Sequence, residues 1–263
     1  MQKRVEYQDE LVYYRLEGKG KSVVLLHGFA EDGNIFNQQI DFLKDYCSLI
    51  VIDLPGSGQS KFNPRLSTIE DYAECVHALL KDEQIQHCTM LGHSMGGYIT
   101  LAFAEKYGAM LTSFGLMHST AYPDSAEKKR IRLKAINTIE IYGADTFIKT
   151  TVPNLFAKKF KEEHPDQINT LIANAHFAKE ALQQYYSAMM NRPDKTNVLR
   201  GSKVPVLFII GEEDTAIPLN DILRQTSLPQ QSYIHVLENV GHMGMWEATE
   251  KVNEYLLEFI NKC

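Results

Sequence analysis

Hydrophobic and polar positions along this chain follow two rhythms in turn. Val204-Pro205-Val206-Leu207-Phe208-Ile209-Ile210-Gly211 is apolar without a break, the mark of a strand buried on both faces of a parallel sheet. Tyr233-Ile234-His235-Val236-Leu237 alternates as a strand does. The pattern predicts a strand pair around residues 11–16 and further strands at 22–27, 48–53, 87–92, 112–118, 204–210 and 232–237. Between them, helical spacing predicts helices at 34–45, 69–83, 95–107, 220–226 and 249–261. Asn34 and Ser67/Thr68 are the expected N-terminal caps of the first two. This alternation implies an α/β fold: a mostly parallel, eight-stranded sheet covered by helices on both faces, with ligands bound beyond the carboxyl ends of the strands.

The rhythm breaks between 119 and 200. Helical patterns at 124–141, 144–150, 161–175 and 178–191 follow one another without a strand, punctuated by Pro123, Gly143, Pro153, Pro165 and Pro193. The expected organisation is a core of residues 1–118 and 201–263, with a helical cap of residues 119–200 inserted between two core strands. Phe147, Leu155, Phe156, Phe177, Tyr185, Tyr186 and Met189 are the cap's candidates to face a ligand. His118 and Ser119, which end the strand before it, are expected at the pocket floor. The basic run Lys128 to Lys134 reads as the solvated side of an amphipathic helix whose other face carries Ile131, Ala135 and Ile139.

Candidate chemistry begins at Gly92-His93-Ser94-Met95-Gly96, which stands between a predicted strand and a predicted helix. In that context a G-x-S-x-G pattern is a nucleophile elbow: glycines flank a serine held on a very tight turn, because side chains there would collide. A serine hydroxyl needs a base, and the base needs an orienting group. Of nine histidines, His242 is the candidate base, since Gly241-His242 follows the last predicted strand. His93, adjacent to the serine, is read as packing near the elbow. The run Glu212-Glu213-Asp214 follows the buried strand, and Asp214 is the preferred orienter. Asp124 and Glu247 are the fallbacks.

The order Ser94, Asp214, His242 resembles the serine–acid–histidine order of the α/β-hydrolase superfamily. Val23 to Phe29, with its His27-Gly28 turn, resembles the segment that carries that family's oxyanion hole. Asp53-Leu54-Pro55-Gly56-Ser57-Gly58-Gln59-Ser60 resembles its Asp-x-x-Gly-x-Gly-x-Ser segment, with Leu54 where many relatives carry arginine. The resemblance implies the α/β-hydrolase fold and a capped carboxylesterase or enol-lactonase-like serine hydrolase that cleaves a small carboxylic ester through an acyl-enzyme. Ser94, Asp214 and His242 would be catalytic, and the backbone N–H groups of Phe29 and Met95 would form the oxyanion hole. Phe29, His118, Phe147, Phe156 and Tyr185 would contact substrate. Lactone or carbon–carbon bond hydrolysis, cofactor-free perhydrolysis and a non-catalytic ligand receptor remain open on the same fold.

Composition narrows the picture a little further. The 263 residues carry a formal charge of −6, which gives no footing for a nucleic-acid partner. The first ten residues lack the apolar core of a signal peptide, and no run reaches membrane-spanning length, so a cytoplasmic protein is expected. Cys47, Cys75, Cys88 and Cys263 have no metal-binding spacing and read as reduced thiols. No metal and no cofactor are expected. The partner expected is a small-molecule ester, with homo-oligomerisation left open.

Overall fold

The unbroken apolar run near residue 206 becomes an interior strand in the computed structural model, which describes residues 1–263. Eight strands form one sheet: β1 (Gln2–Tyr7), β2 (Glu10–Gly18), β3 (Ser22–Leu26), β4 (Ser48–Ile52), β5 (Cys88–His93), β6 (Leu111–Met117), β7 (Val206–Gly211) and β8 (Ser232–Leu237). Their spatial order is β1-β2-β4-β3-β5-β6-β7-β8. β2 pairs antiparallel with β1 and β4, and every other neighbouring pair is parallel. β5 and β7 are buried at every position, whereas β8, at the sheet edge, exposes Ile234 and Val236.

Around the sheet lie α1 (Asn37–Leu43), α2 (Ile69–Asp82), α3 (Met95–Tyr107), α10 (Leu219–Leu223), α11 (Gly244–Glu247) and α12 (Thr249–Lys262). α4 (Ala126–Tyr142), α5 (Ala144–Thr151), α6 (Lys158–Glu163), α7 (Pro165–Asn174), α8 (Lys179–Asn191) and α9 (Thr196–Gly201) all fall between β6 and β7. α2 packs on α3, and α1 on α12, so helices cover both faces of the sheet. Thr68 caps α2 in a reciprocal capping box with Asp71.

Several boundaries differ from the sequence reading. The first helix opens as a tight 3₁₀ turn at Gly33–Phe36, because the Asp32 carboxylate, not Asn34, accepts the first free N–H. The stretch at 161–175 splits into α6 and α7 at Pro165, which has no N–H to continue a helix but suits the first position of a new one. α9 and α11 are short additions with too few turns to show a period.

The topology prepares a site. After β3 the chain crosses to β4 on one side, and after β4 it returns to β5 on the other. The strand order therefore reverses between β3 and β5, and the crevice at such a switch point is where open α/β sheets bind ligands. Residues 27–29 leave the end of β3 there, and Ser94 leaves the end of β5.

Candidate active site

Ser94 joins β5 to α3 with φ 50° and ψ −114°, a left-handed conformation that costs a non-glycine residue about 1–3 kcal/mol. Its surroundings hold it there. The Ser94 N–H donates to Met117 O at 2.9 Å, and Ser94 O accepts from Gly97 N at 3.0 Å and from Ser119 Oγ at 2.7 Å. A Cβ on Gly96 would sit on the carbonyl oxygen of Leu26, and one on Gly92 on the backbone of Gly96. Both glycines are therefore sites of close backbone approach. The turn after β3 lies against the elbow too: a Cβ on Gly28 would come within 3.0 Å of Ser94 Cβ. The Phe29 N–H makes no hydrogen bond within the chain, and that of Met95, first residue of α3, has no intrahelical acceptor.

Asp214 and His242 meet beyond the carboxyl ends of β7 and β8, on the same side of the sheet as Ser94. His242 Nδ1 lies 2.7 Å from Asp214 Oδ2. The other carboxylate oxygen, Oδ1, accepts from Ala216 N and Ile217 N, each at 2.8 Å. Burial alone would push the Asp214 carboxyl up, but His242, with its hydrogen bond, and the nearby His118 ring hold it well below the usual carboxylate range. The neighbouring acids Glu212 and Glu213 are exposed. Glu247 instead accepts the N–H groups of Ala157, Gly241 and Met243, pinning the loop that carries His242. Asp124 is taken up by Arg132 and Arg192.

Ser94 and His242 line one cavity of about 210 Å³, smaller than the roughly 300–1,000 Å³ of drug-sized ligand pockets. The Ser94 hydroxyl forms no hydrogen bond within the chain, and catalytic hydrogen bonds are often long before substrate arrives. Phe29, Phe147, Tyr186, Met189 and Leu155 supply much of the apolar wall. Phe29 stacks on Tyr186 with centroids 4.1 Å apart, and Phe147 meets both rings edge-on.

Three residues expected to contact substrate do not reach this wall. Tyr185 points the other way along α8, where its hydroxyl bonds Ser57 Oγ and Pro55 O at 2.8 Å. Adjacent residues on a helix point about 100° apart, so Tyr186 takes the cavity position. Phe156 stacks on Phe160 inside the helical segment. His118, at φ 48°, lies behind Asp214 with its Nδ1 3.4 Å from Oδ2, out of hydrogen-bond geometry, and both ring nitrogens are buried without a partner. Burial pushes its value down to about 4, so the ring is neutral. Phe177 is also absent from the wall.

The reading of α4 holds only in part: Ile139 is buried and Ala135 packs against the core, with Lys129, Arg130 and Lys134 exposed, but Ile131 does not join the inner face. Ile131 and Leu133 are 61% and 52% exposed, while Lys128 and Arg132 line the cavity. The helix is turned by the Asp124 carboxylate, which draws Arg132 inward, and Arg132 carries with it Lys128 one turn earlier.

Two further residues matter that the sequence did not single out in these roles. His93 Nδ1 lies 2.9 Å from Glu31 Oε2, and His93 Nε2 lies 2.9 Å from His242 O. A carbonyl only accepts, so Nε2 carries a proton. Glu31 Oε2 also accepts from Gly28 N at 2.6 Å. Burial opposes the charge on each partner, but the contact with the other wins: His93 is raised and Glu31 lowered. An imidazolium–carboxylate pair thus links the turn after β3 to the backbone of His242.

His118, Asp214 and His242 also bring three potential metal donors together. The 2.7 Å between Asp214 and His242 is a hydrogen-bond distance, however. Ligands about 2.0–2.1 Å from a shared tetrahedral ion stand roughly 3.3 Å apart.

A serine on a strained strand–helix turn, beside a glycine turn and an Asp-held histidine, matches a known sequence profile over residues 23–255, that of the alpha/beta hydrolase family. The chain belongs to that family. Among curated relatives, the uncharacterised hydrolase YugF of Bacillus subtilis is 25% identical over 94% of this chain and 92% of its own length. A 2-hydroxy-6-oxononadienedioate/2-hydroxy-6-oxononatrienedioate hydrolase of Paraburkholderia phymatum is 27% identical over 95% and 91%. Among solved structures, a thermophilic esterase from Thermogutta terrifontis superposes with a TM-score of 0.92 at 27% identity, covering 99% of this chain and 98% of the other. The enol-lactonase of Burkholderia xenovorans, at 20% identity over 98% and 100%, shares the fold with a TM-score of 0.91. No helix of this alpha/beta hydrolase family member is long and apolar enough to cross a membrane.

Proposed function

We propose that this protein is a serine hydrolase that cleaves small carboxylic esters through an acyl-enzyme. The observation that carries the reading is the shared cavity onto which Ser94, on its strained turn, and His242, oriented by Asp214, both open. Ser94 Oγ attacks the ester carbonyl and its proton passes to His242 Nε2. His242 then protonates the departing alkoxide, and a water activated by the same ring releases the acid. Asp214 fixes the tautomer by accepting from Nδ1 and stabilises the imidazolium. The developing oxyanion is received by the N–H groups of Phe29 and Met95, the latter at the start of α3 where the helix dipole favours negative charge. Residues 119–200 act as the cap that closes the cavity and restricts it to small substrates. The 27% identity to an esterase supports ester cleavage, and the similar identity to a carbon–carbon bond hydrolase makes that substrate class the control.

Hydrolysis of p-nitrophenyl acetate by the purified protein tests this reading. Ser94→Ala should lower kcat by about a millionfold and Asp214→Asn by roughly ten-thousandfold, as in measured triads. A fluorophosphonate should label Ser94. Turnover that survives Ser94→Ala, or a protein that binds ligands but is neither labelled nor active, would overturn the proposal.

A further inference from the structure

The cavity holds more positive charge than its neighbours cancel. Arg132 and Arg192 share a single carboxylate, Asp124, at 2.6 and 2.8 Å, which leaves one charge over. Arg132 uses only Nε and Nη2 in that pairing, and Nη1 makes no hydrogen bond. Lys128, one turn away on α4, donates to Ala216 O at 2.7 Å and pairs with no carboxylate. The one acidic side chain on the cavity wall, Glu31, is already neutralised by His93 and bonded to Gly28 N. Tyr98 also faces the cavity, and its hydroxyl makes no hydrogen bond within the chain. Lys128, the free edge of Arg132 and the Tyr98 hydroxyl thus present cationic and hydroxyl donors to a largely apolar chamber, where a ligand that brings negative charge supplies their complement.

We propose, building on the hydrolase reading, that the substrate is a small ester bearing a free carboxylate, which Lys128 and Arg132 hold while the ester carbonyl meets Ser94. Arginine forks suit carboxylates, and charge-assisted hydrogen bonds of this kind are about twice as strong as neutral ones. The apolar wall of Phe29, Phe147 and Tyr186 then covers the carbon chain between the two groups.

Calorimetric titration of Ser94→Ala protein, which cannot turn the probes over, separates binding from chemistry. Monomethyl glutarate should bind at least about tenfold more tightly than neutral dimethyl glutarate. Its isomer 4-acetoxybutanoate carries the carboxylate on the alcohol side, so the tighter of the two tells which side of the ester the cations hold. Lys128→Met and Arg132→Met should each reduce the preference for the half-ester severalfold. Lys128→Met leaves the Asp124 pairs intact and so stands alone if Arg132→Met does not fold. Equal or tighter binding of the diester, or half-ester affinity unmoved by Lys128→Met, would sink the anion subsite. Anion-selective binding by a protein that hydrolyses no ester would instead sink the hydrolase reading alone.

Discussion

Nδ1 of His93 lies 2.9 Å from Oε2 of Glu31, and the two side chains form a charged pair almost wholly removed from water. Glu31 holds Gly28 N, directly before the proposed oxyanion donor Phe29, and His93 holds the carbonyl of His242. The pair therefore ties the turn after β3 to the backbone of His242, the two halves of the site.

Breaking one partner leaves an uncompensated buried charge, which costs about 3–5 kcal/mol. Glu31→Leu and His93→Leu should each be strongly destabilised in urea unfolding, and the double variant less than the sum of the two. Glu31→Gln, which keeps an acceptor for Gly28, should lower kcat about tenfold or more with little change in KM. Additive stabilities, or a loss confined to KM, would show that the pair does not position the site.

The conformation of Ser94 predicts a trade between stability and chemistry. Glycine adopts φ 50° without strain, so Ser94→Gly should be more stable than Ser94→Ala by about 1–3 kcal/mol while both are inactive. Chemical denaturation of the two side by side decides it, and equal midpoints would mean that the turn stores no strain.

Acid should weaken the fold through His118. In the unfolded chain the ring takes up a proton below its ordinary value of 6.5, whereas in the folded protein burial delays this to about 4. Between those values the unfolded state binds the extra proton, so stability falls as pH drops, by roughly 3 kcal/mol in all. His93, raised by Glu31, acts with the opposite sign: its contribution is complete below 6.5 and is lost as pH rises through its folded value. His118→Asn, a residue that tolerates φ 48°, should flatten the acid limb in urea titrations at stepped pH. His77 and His235, also lowered by burial, leave a smaller slope of the same sign, so a slope between pH 6.5 and 4 that is unchanged in this variant would remove His118 as a source.

Gly96→Ala should fail to fold, because its methyl would occupy the place of the Leu26 carbonyl oxygen. Gly108→Ala, where a Cβ meets nothing, is the control and should express normally. Soluble, active Gly96→Ala would mean that β3 and the elbow can separate at small cost.

The sheet was legible because its central strands are buried on both faces, so that the apolar run at 204–211 has no other home. The elbow was legible because close approach of backbones demands glycine at two fixed positions. Asp214 and His242 could be placed at strand ends from local pattern, yet their 2.7 Å contact is a property of the folded sheet. What escaped reading was the phase of helices buried on more than one side. On α8, Tyr185 serves the loop at Ser57 and Tyr186 the cavity, and both are large, apolar-faced and adjacent. On α4, the pull of Asp124 on Arg132 overrode the apolar count that assigned Ile131 to the interior. Glu31 offered no local signal at all, since only the turn after β3 brings it beneath His93.

The carbonyl of Leu155 receives the N–H of His242 at 2.7 Å, and Glu247 clasps Ala157 together with Gly241 and Met243. The segment at Leu155, the roof of the chamber in the proposed cap, is in this way stitched to the very peptide that bears the imidazole. Were the roof to lift and admit a molecule, it would tug that ring out of register, and settling back would restore it. Admission and readiness to react would then be two aspects of a single movement.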